Sequence, residues 1–171
     1  MQLPSNPALS WLEKVVSEEN VVSKLRQIVS RVHTQLELSK NEPMTWESFS
    51  PSFFGNDLPC QIASSWIFVI RAGTYLGVER HPNSYQRTIA WQGGGLFEIY
   101  ENGVWQPHPI SSIGEERSVS IPQNAWHRVT AGPEDWAMIS FHTVPASELI
   151  EEKPVNEEDL NVSHSRRYEE G

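Results

Sequence analysis

The feature that most constrains the fold is a change in hydrophobic periodicity near residue 45. Apolar residues recur at helical spacing before this point, whereas short β-rich segments joined by brief Gly-, Asn-, Pro- or Asp-containing links follow it. Because no helical pattern interrupts these segments, an antiparallel sandwich or barrel is predicted rather than a parallel α/β sheet. We predict eight strands, over residues 65–71, 74–81, 85–92, 96–101, 104–108, 118–121, 125–130 and 135–143.

Residues 7–38 form a helical arm of two amphipathic helices or one long broken helix. Asn6 is the predicted cap, Pro7 suits the first helical position, and the arm should end before Pro43. Its apolar stripe must be covered, and we expect it to dock on the outside of the β-domain. The alternative is a partner subunit, so the stripe is compatible with a homodimer. The stripe comprises Val21, Val22, Leu25, Ile28, Val29, Val32 and Leu36.

Charge and composition exclude several classes of function. The 171 residues carry a formal net charge of −9, which argues against nucleic acid or an anionic membrane surface as a partner. The single cysteine, Cys60, excludes an intrachain disulfide. The first residues lack the basic and apolar regions of a signal peptide, and no segment has the length of a membrane helix. We therefore expect a soluble cytoplasmic protein.

The composition becomes strongly acidic after Pro145. We expect a short helix or strand near residues 146–151 and then a mobile tail, because the segment has many carboxylates and few apolar residues. The predicted organisation is a helical arm over residues 1–44, a β-domain over 45–147 and an acidic tail over 148–171.

The stretch over residues 73–93 gathers side chains of the kind that bind metals. Glu79 and His81 stand two residues apart and therefore face the same side of a strand. A turn at Pro82 then brings Gln86 back on the next strand. A carboxylate and an imidazole that converge in this way suit a divalent ion. The alternative for Glu79 is an ion pair with a neighbouring arginine, or exposure to solvent.

The spacing of this stretch resembles the first motif of the cupin superfamily. Five residues separate Gly73 from Glu79, four separate His81 from Gln86, and six separate Gln86 from Gly93, as that motif requires. In this register Glu79 and His81 occupy the positions of two cupin histidine ligands. Gln86 occupies the acidic position, where it is either a ligand or an outer-shell group.

A second segment, over residues 122–127, resembles the second cupin motif. Its proline and His127 have the usual separation, with Asn124 where a glycine is common. The resemblance implies an all-β fold, the cupin double-stranded β-helix or jelly-roll barrel, with the α-helical arm at its N-terminus. It also implies that His127 supplies the third metal ligand.

Within the cupins, the sequence is most similar to thiol dioxygenases of the cysteine dioxygenase type. The segments 79–84 and 127–129 resemble the ligand segments of those enzymes, and Ser140 and His142 resemble part of their outer shell. The alternative for these last two residues is an ordinary buried hydrogen-bonded pair. Glu79 stands where the enzymes have histidine, and Val144 where they have tyrosine, so thiol oxidation itself is not implied.

These patterns predict a metal-dependent enzyme, with a non-haem Fe(II) dioxygenase as the leading hypothesis and Ni, Zn or Mn as alternative metals. The alternatives are a metal-independent isomerase or epimerase that uses a histidine as base, and a non-enzymatic binding or sensing module. The predicted metal ligands are Glu79, His81 and His127; Gln86, His142, Ser140 and Tyr85 line the cavity; and Arg87 and Trp91 bind substrate.

Overall fold

The computed structural model describes residues 7–55, 58 and 61–170, so Asn6 and Cys60 lie outside the described part. This part begins with two α-helices, α1 (Pro7–Val15) and α2 (Glu19–Leu38). Short 3₁₀ helices occur at Pro51–Phe54, Ala146–Glu148 and Tyr168–Glu170. The strands are β1 (Met44–Phe49), β2 (Ser64–Ile70), β3 (Tyr75–Glu79), β4 (Gln86–Gln92), β5 (Gly94–Glu101), β6 (Val104–Ser111), β7 (Ser118–Ile121), β8 (His127–Ala131), β9 (Trp136–His142), β10 (Ile150–Asn156) and β11 (Asp159–Arg167).

Two antiparallel sheets form the β-domain. The larger has the strand order β1-β2-β9-β4-β7 and the smaller the order β3-β8-β5-β6. Apolar side chains from both sheets meet in one core, so the sheets pack face to face as in a jelly roll. The predicted fold class is therefore confirmed, and the structure adds strand β1 ahead of the first predicted strand. Among the described helices, none is long and apolar enough to cross a membrane.

The larger sheet is covered on both faces, and this explains its apolar strands. All seven residues of β2 are buried. Along β4, Ala90 packs in the core between the sheets, whereas Ile89 and Trp91 pack in a second core with the helices. Because side chains alternate across a strand, the odd-numbered residues of β4 face the helices and the even-numbered ones face the domain interior.

The helical arm packs on the outer face of the larger sheet. The apolar stripe of α2 joins Ile67, Val69 and Ile139 in one buried cluster. Polar contacts also hold the end of α2: Arg71 donates to the carbonyl of Leu36 at 3.0 Å and to that of Ser39 at 3.2 Å. The buried stripe residues are Val21, Leu25, Ile28, Val29, Val32 and Leu36.

The acidic C-terminal segment is a hairpin of β10 and β11, so the expectation of a mobile tail is wrong. Two of its carboxylates accept hydrogen bonds or form an ion pair with groups on β3 or directly after it. Glu157 accepts hydrogen bonds from the backbone of Val78 at 2.9 Å and from the Tyr75 hydroxyl at 2.8 Å. Glu152 forms an ion pair with Arg80, and their backbones pair as well. Because these acidic side chains have donor partners, they hold the hairpin against the β-domain, and their mutual repulsion does not keep it disordered.

Candidate metal centre

Backbone pairing brings the three predicted ligands together. Glu79, the last residue of β3, is the direct cross-strand partner of His127, the first residue of β8. His81 follows two residues after Glu79, and its carbonyl accepts the backbone N–H of Asn124 at 2.9 Å. Asn124 has a φ of +66°, a left-handed conformation that asparagine tolerates better than most residues. This explains why asparagine serves where the cupin motif commonly has glycine.

The ligand atoms of these side chains converge on one point. Glu79 Oε1 lies 3.5 Å from His127 Nε2 and 3.8 Å from His81 Nε2. One ligand atom from each residue lies within 4.8 Å of the others. Both imidazoles are buried, whereas the Glu79 side chain keeps 27% of its surface exposed towards the cavity mouth. The cluster can therefore hold a metal ion and remain accessible to a small molecule.

Backbone carbonyls fix which nitrogen of each imidazole faces the cluster. His81 Nδ1 donates to the carbonyl of Ile150 at 2.9 Å, and His127 Nδ1 donates to that of Ala125 at 3.0 Å. Each neutral ring then turns the lone pair of Nε2 towards Glu79, and His127 Nε2 is buried with no hydrogen-bond partner among the described residues. Three acceptor atoms that converge in this way need a cation between them, either a metal ion or a proton. Carbonyl-oriented histidines are also the usual arrangement in protein metal sites.

Burial and neighbouring charges set the protonation of the cluster. Burial lowers the pKa of His81 to about 4, so this imidazole is neutral at physiological pH. Burial also opposes the ionisation of Glu79, but its contacts with His127, His81 and Glu151 outweigh this effect and hold its pKa well below the ordinary value. A carboxylate and two imidazoles form a donor set that suits Fe(II), Mn, Ni or Zn.

Three further predicted residues lie around the same cavity. Gln86 donates from Nε2 to Thr88 Oγ1 at 3.0 Å, which leaves its Oε1 buried without a hydrogen-bond partner among the described residues. Ser140 shares a 2.7 Å hydrogen bond with Thr88, and His142 Nδ1 a 2.9 Å one with Ser84. Ser140 and His142 are thus buried and hydrogen-bonded, but to other residues and not to each other.

The remaining predicted residues do not line this cavity. Arg87 lies on the opposite face of β4, where its guanidinium stacks 4.4 Å from the ring of Tyr85. Trp91 packs among the apolar residues between the sheet and the helices. The structure therefore gives no support to Tyr85 as a cavity residue or to Arg87 and Trp91 as substrate-binding residues. Both Arg87 and Trp91 occupy odd positions of β4, and the strand alternation directs them away from the metal ligands.

The C-terminal hairpin supplies residues that the sequence did not indicate. Glu151 is only 3% exposed and pairs with Arg166 at 2.7 Å and with Lys153 at 3.5 Å. Burial, followed by its hydrogen bond to Glu79, raises the pKa of Glu151 to about 7. Tyr168 is buried beside His81, with 6.3 Å between ring centroids. The only signal for these residues was the weak alternation of Leu160 and Val162, which the acidic composition masked.

The cavity that these residues share has a volume of about 240 Å³. Its polar end carries the Glu79, His81 and His127 cluster, together with Gln86 and His142. The rest of the wall combines apolar side chains with the charged Glu42, Glu151, Lys153 and Arg166. A small pocket with a few convergent polar groups is typical of sites that bind small molecules. The apolar wall includes Phe68, Ile70, Leu76, Phe97, Val129 and Met138.

Solved structures of low sequence identity share this fold. The capsular polysaccharide assembling protein CapF from Staphylococcus aureus, in a complex with the inhibitor 3-isopropenyl-tropolone, matches with a TM-score of 0.51 and 14% identity over 63% of this chain and 30% of CapF. The coconut allergen cocosin matches with a TM-score of 0.50 and 16% identity over 64% of this chain and 28% of cocosin. Oxalate oxidase in complex with glycolate has a TM-score of 0.49 and 11% identity over 61% of this chain and 52% of the enzyme.

These neighbours are cupins, and the chain has the cupin fold. The matched region spans about half of the length of these proteins or less. No family model and no curated protein matches the sequence. The cupin prediction is thus confirmed at the level of fold, whereas these neighbours do not support the thiol dioxygenase branch.

Proposed function

We propose that the protein is a metal-dependent enzyme that acts on a small molecule, with a divalent ion held by Glu79, His81 and His127. The observation that carries the proposal is the convergence of two histidine Nε2 atoms and one carboxylate oxygen within 4.8 Å, with both Nδ1 atoms fixed by backbone carbonyls. A divalent ion held by three protein ligands has open positions and acts as a Lewis acid or binds oxygen. The ligand set resembles the two-histidine, one-carboxylate triad of Fe(II) oxygenases.

The surrounding side chains have distinct tasks in this proposal. Gln86 presents its unpartnered amide oxygen to the cavity, where it can accept a hydrogen bond from substrate or water. Ser84 Oγ donates to the carbonyl of Tyr85 and therefore accepts from His142 Nδ1. This arrangement leaves His142 Nε2 as a proton acceptor. Because burial holds the pKa of His142 well below its ordinary value, the ring is neutral, and Nε2 can accept a hydrogen bond from a bound substrate.

Metal analysis of protein purified without chelator tests the ligand assignment. We expect stoichiometric metal in the wild type and loss of that metal in both His81→Ala and His127→Ala. The loss in affinity should exceed the roughly 10–100-fold that removal of an outer-shell partner costs. His164→Ala is the control, because His164 is exposed on β11 and should leave the metal content unchanged. Wild-type protein that folds but carries no divalent metal, even after incubation with Fe(II), Mn, Ni and Zn, would contradict the proposal.

A finer hypothesis is that the metal is iron and the reaction a dioxygenation. Oxygen uptake by the iron-loaded protein tests it, with cysteine and 3-mercaptopropionate as thiol substrates and non-thiol carboxylates beside them. Uptake with thiols alone would support the thiol dioxygenase branch. Uptake with other substrates alone would replace that branch with another oxygenase activity. If iron-loaded protein consumes no oxygen with any of them while it retains stoichiometric metal, the dioxygenase hypothesis is wrong and the metal site stands.

A further inference from the structure

The C-terminal hairpin places two cationic side chains at the wall of the metal cavity. Arg166 and Lys153 both line it, and both flank the buried carboxyl of Glu151. The other charged residues along the wall are Glu42 and Glu79. With Glu151 ionised, these two cations and the three carboxylates sum to −1, so a bound divalent ion would give the cavity a net positive charge. A cavity of this charge attracts anions, although the chain as a whole is acidic.

Arg166 has donors that the protein itself does not use. Its Nε donates to Glu151 at 2.7 Å, and this is its one side-chain hydrogen bond within the described part of the chain. Arg166 is also the direct cross-strand partner of Glu151, so the hairpin register fixes the direction of the guanidinium. Neither terminal nitrogen has a hydrogen-bond partner among the described residues, and the side chain is 48% exposed, so these donors are accessible from solvent as well as from the cavity. A guanidinium held at one edge with two free donors is suited to bind both oxygens of a carboxylate.

Part of the cavity wall is apolar, and the cavity volume limits the size of the ligand. Phe97, Val129 and Met138 come from three different strands and line the wall between the two sheets. An apolar cavity of about 150 Å³ accommodates benzene, so a volume of 240 Å³ has room for about ten non-hydrogen atoms. A ligand that fits therefore combines an anionic end with a short apolar body.

We propose that Arg166, assisted by Lys153, binds the carboxylate of a small monocarboxylic acid whose apolar body lies against Phe97, Val129 and Met138. The inference rests on the proposed function, because it places this acid in the same cavity as the metal. In this proposal Arg166, and not Arg87, binds the charged group of the substrate. The strand alternation places Arg87 on the other face of the sheet. A phosphate ester fits less well, because it carries more charge and needs more volume than this cavity offers.

Phenylacetate and phenylacetamide are matched probes for this proposal. Each has ten non-hydrogen atoms, and only the first is charged. We expect calorimetric titration of the Zn-loaded protein to show that phenylacetate binds at least about tenfold more tightly than the amide. Arg166→Gln should remove most of this preference, since a hydrogen bond to a charged group is worth roughly tenfold to hundredfold in affinity. Arg166→Lys should retain part of it, because the charge remains and the two-donor geometry is lost.

Arg167→Gln provides the matched control. Arg167 is exposed on the same strand, bonds the carbonyl of Ser147 and does not line the cavity, so its loss should leave the preference unchanged. The proposal is overturned if hexanoate and phenylacetate both fail to bind the wild type, if acid and amide bind equally, or if Arg166→Gln keeps the preference. Metal content and binding to the metal-free protein are measured in parallel. A wild type that takes up none of Fe(II), Mn, Ni and Zn yet prefers the acid would contradict the metal site and support the anion site.

Discussion

At the scale of single residues, Glu151 and the nearby histidines respond to pH in opposite directions. The pKa of Glu151 is raised to about 7, so its contribution to stability is complete below its ordinary value of 4.5 and is lost as the pH rises through 7. The pKa of His81 is lowered to about 4, and that of His142 is also lowered, chiefly by burial. The histidine contributions are complete above pH 6.5 and are lost as the pH falls. Between pH 4.5 and 6.5, Glu151 therefore offsets part of the acid sensitivity that the histidines cause.

Removal of the Glu151 carboxyl should expose the full effect of the histidines. We expect the free energy of unfolding of metal-free Glu151→Gln to fall more steeply than that of the wild type as the pH drops from 6.5 to 4.5. The added slope should be about 1.4 kcal/mol per pH unit, which corresponds to one titrating proton. Urea unfolding at a series of pH values, after exhaustive dialysis against chelator, measures this slope.

Glu158→Gln serves as the control, because it removes an exposed carboxyl from the turn of the same hairpin and should keep the wild-type slope. Parallel pH profiles for wild type and Glu151→Gln would contradict the assignment of a raised pKa to Glu151. A shallower profile for the variant would mean that the pKa of Glu151 is lowered in the folded protein and not raised.

The same scale shows which site residues a sequence reveals. Glu79 and His81 are recognisable because local spacing alone places them on one strand face, and His127 because a second motif names it. Glu151 and Arg166 become neighbours only through the register of a hairpin in a charged segment. No local sequence pattern identifies such a pair, since its position at the cavity depends on which strands the hairpin packs against.

At the scale of secondary-structure elements, α2 is predictable because its apolar period is strong over 20 residues. Because α2 packs on the larger sheet, its buried apolar stripe should contribute strongly to the stability of the fold. Leu25 is fully buried, so we expect Leu25→Ala to lower the free energy of unfolding by about 2–5 kcal/mol. Chemical denaturation monitored by tryptophan fluorescence measures the loss.

Leu38→Ala removes the same group from the same helix where the side chain is 79% exposed, and it should change stability by less than about 0.5 kcal/mol. Equal effects at Leu25 and Leu38 would mean that the helix is not docked as described. An effect at Leu38 alone would instead place a covered surface at the end of α2.

The C-terminal hairpin shows where composition misleads at this scale. A segment rich in Glu reads as disordered, because isolated like charges repel and few apolar residues can be buried. Here the carboxylates of Glu151, Glu152 and Glu157 each meet a donor from another strand. Composition counts the charges but does not show their partners, so ordered and disordered acidic segments look alike in the sequence.

At the scale of the whole molecule, strand alternation predicts two faces but not which strands meet. The larger sheet places β9 between β2 and β4, which are distant from it in sequence. The pairing of Gln86 with His142 follows from this order and brings both to the cavity. The cupin resemblance supplied this topology, whereas propensity alone would have left many antiparallel arrangements open.

Tyr168, which follows the last described strand, is buried between the two sheets and connects the C-terminal hairpin to the first strands of the β-domain. Its ring contacts those of Trp46 and Trp66, with centroids 5.4 and 5.3 Å apart. Trp46 lies on β1 and Trp66 on β2, so this aromatic cluster joins the hairpin to the first strands of the larger sheet. The cavity wall therefore depends on a contact between the two ends of the β-domain.

Tyr168→Ala should loosen the hairpin and destabilise the whole domain. We expect a loss of about 3–5 kcal/mol in the free energy of unfolding, as for other large aromatic side chains in cores, and faster tryptic cleavage after Arg166 and Arg167. Tyr168→Phe keeps the ring and should retain most of the stability and protection. Mass spectrometry of a timed digest separates local release of the hairpin from global unfolding, because only global unfolding also permits cleavage of the peptide bond after Arg31, inside α2. Unchanged cleavage after Arg166 and Arg167 in Tyr168→Ala would show that the hairpin is held by its polar contacts with β3 and Arg80 rather than by this aromatic contact.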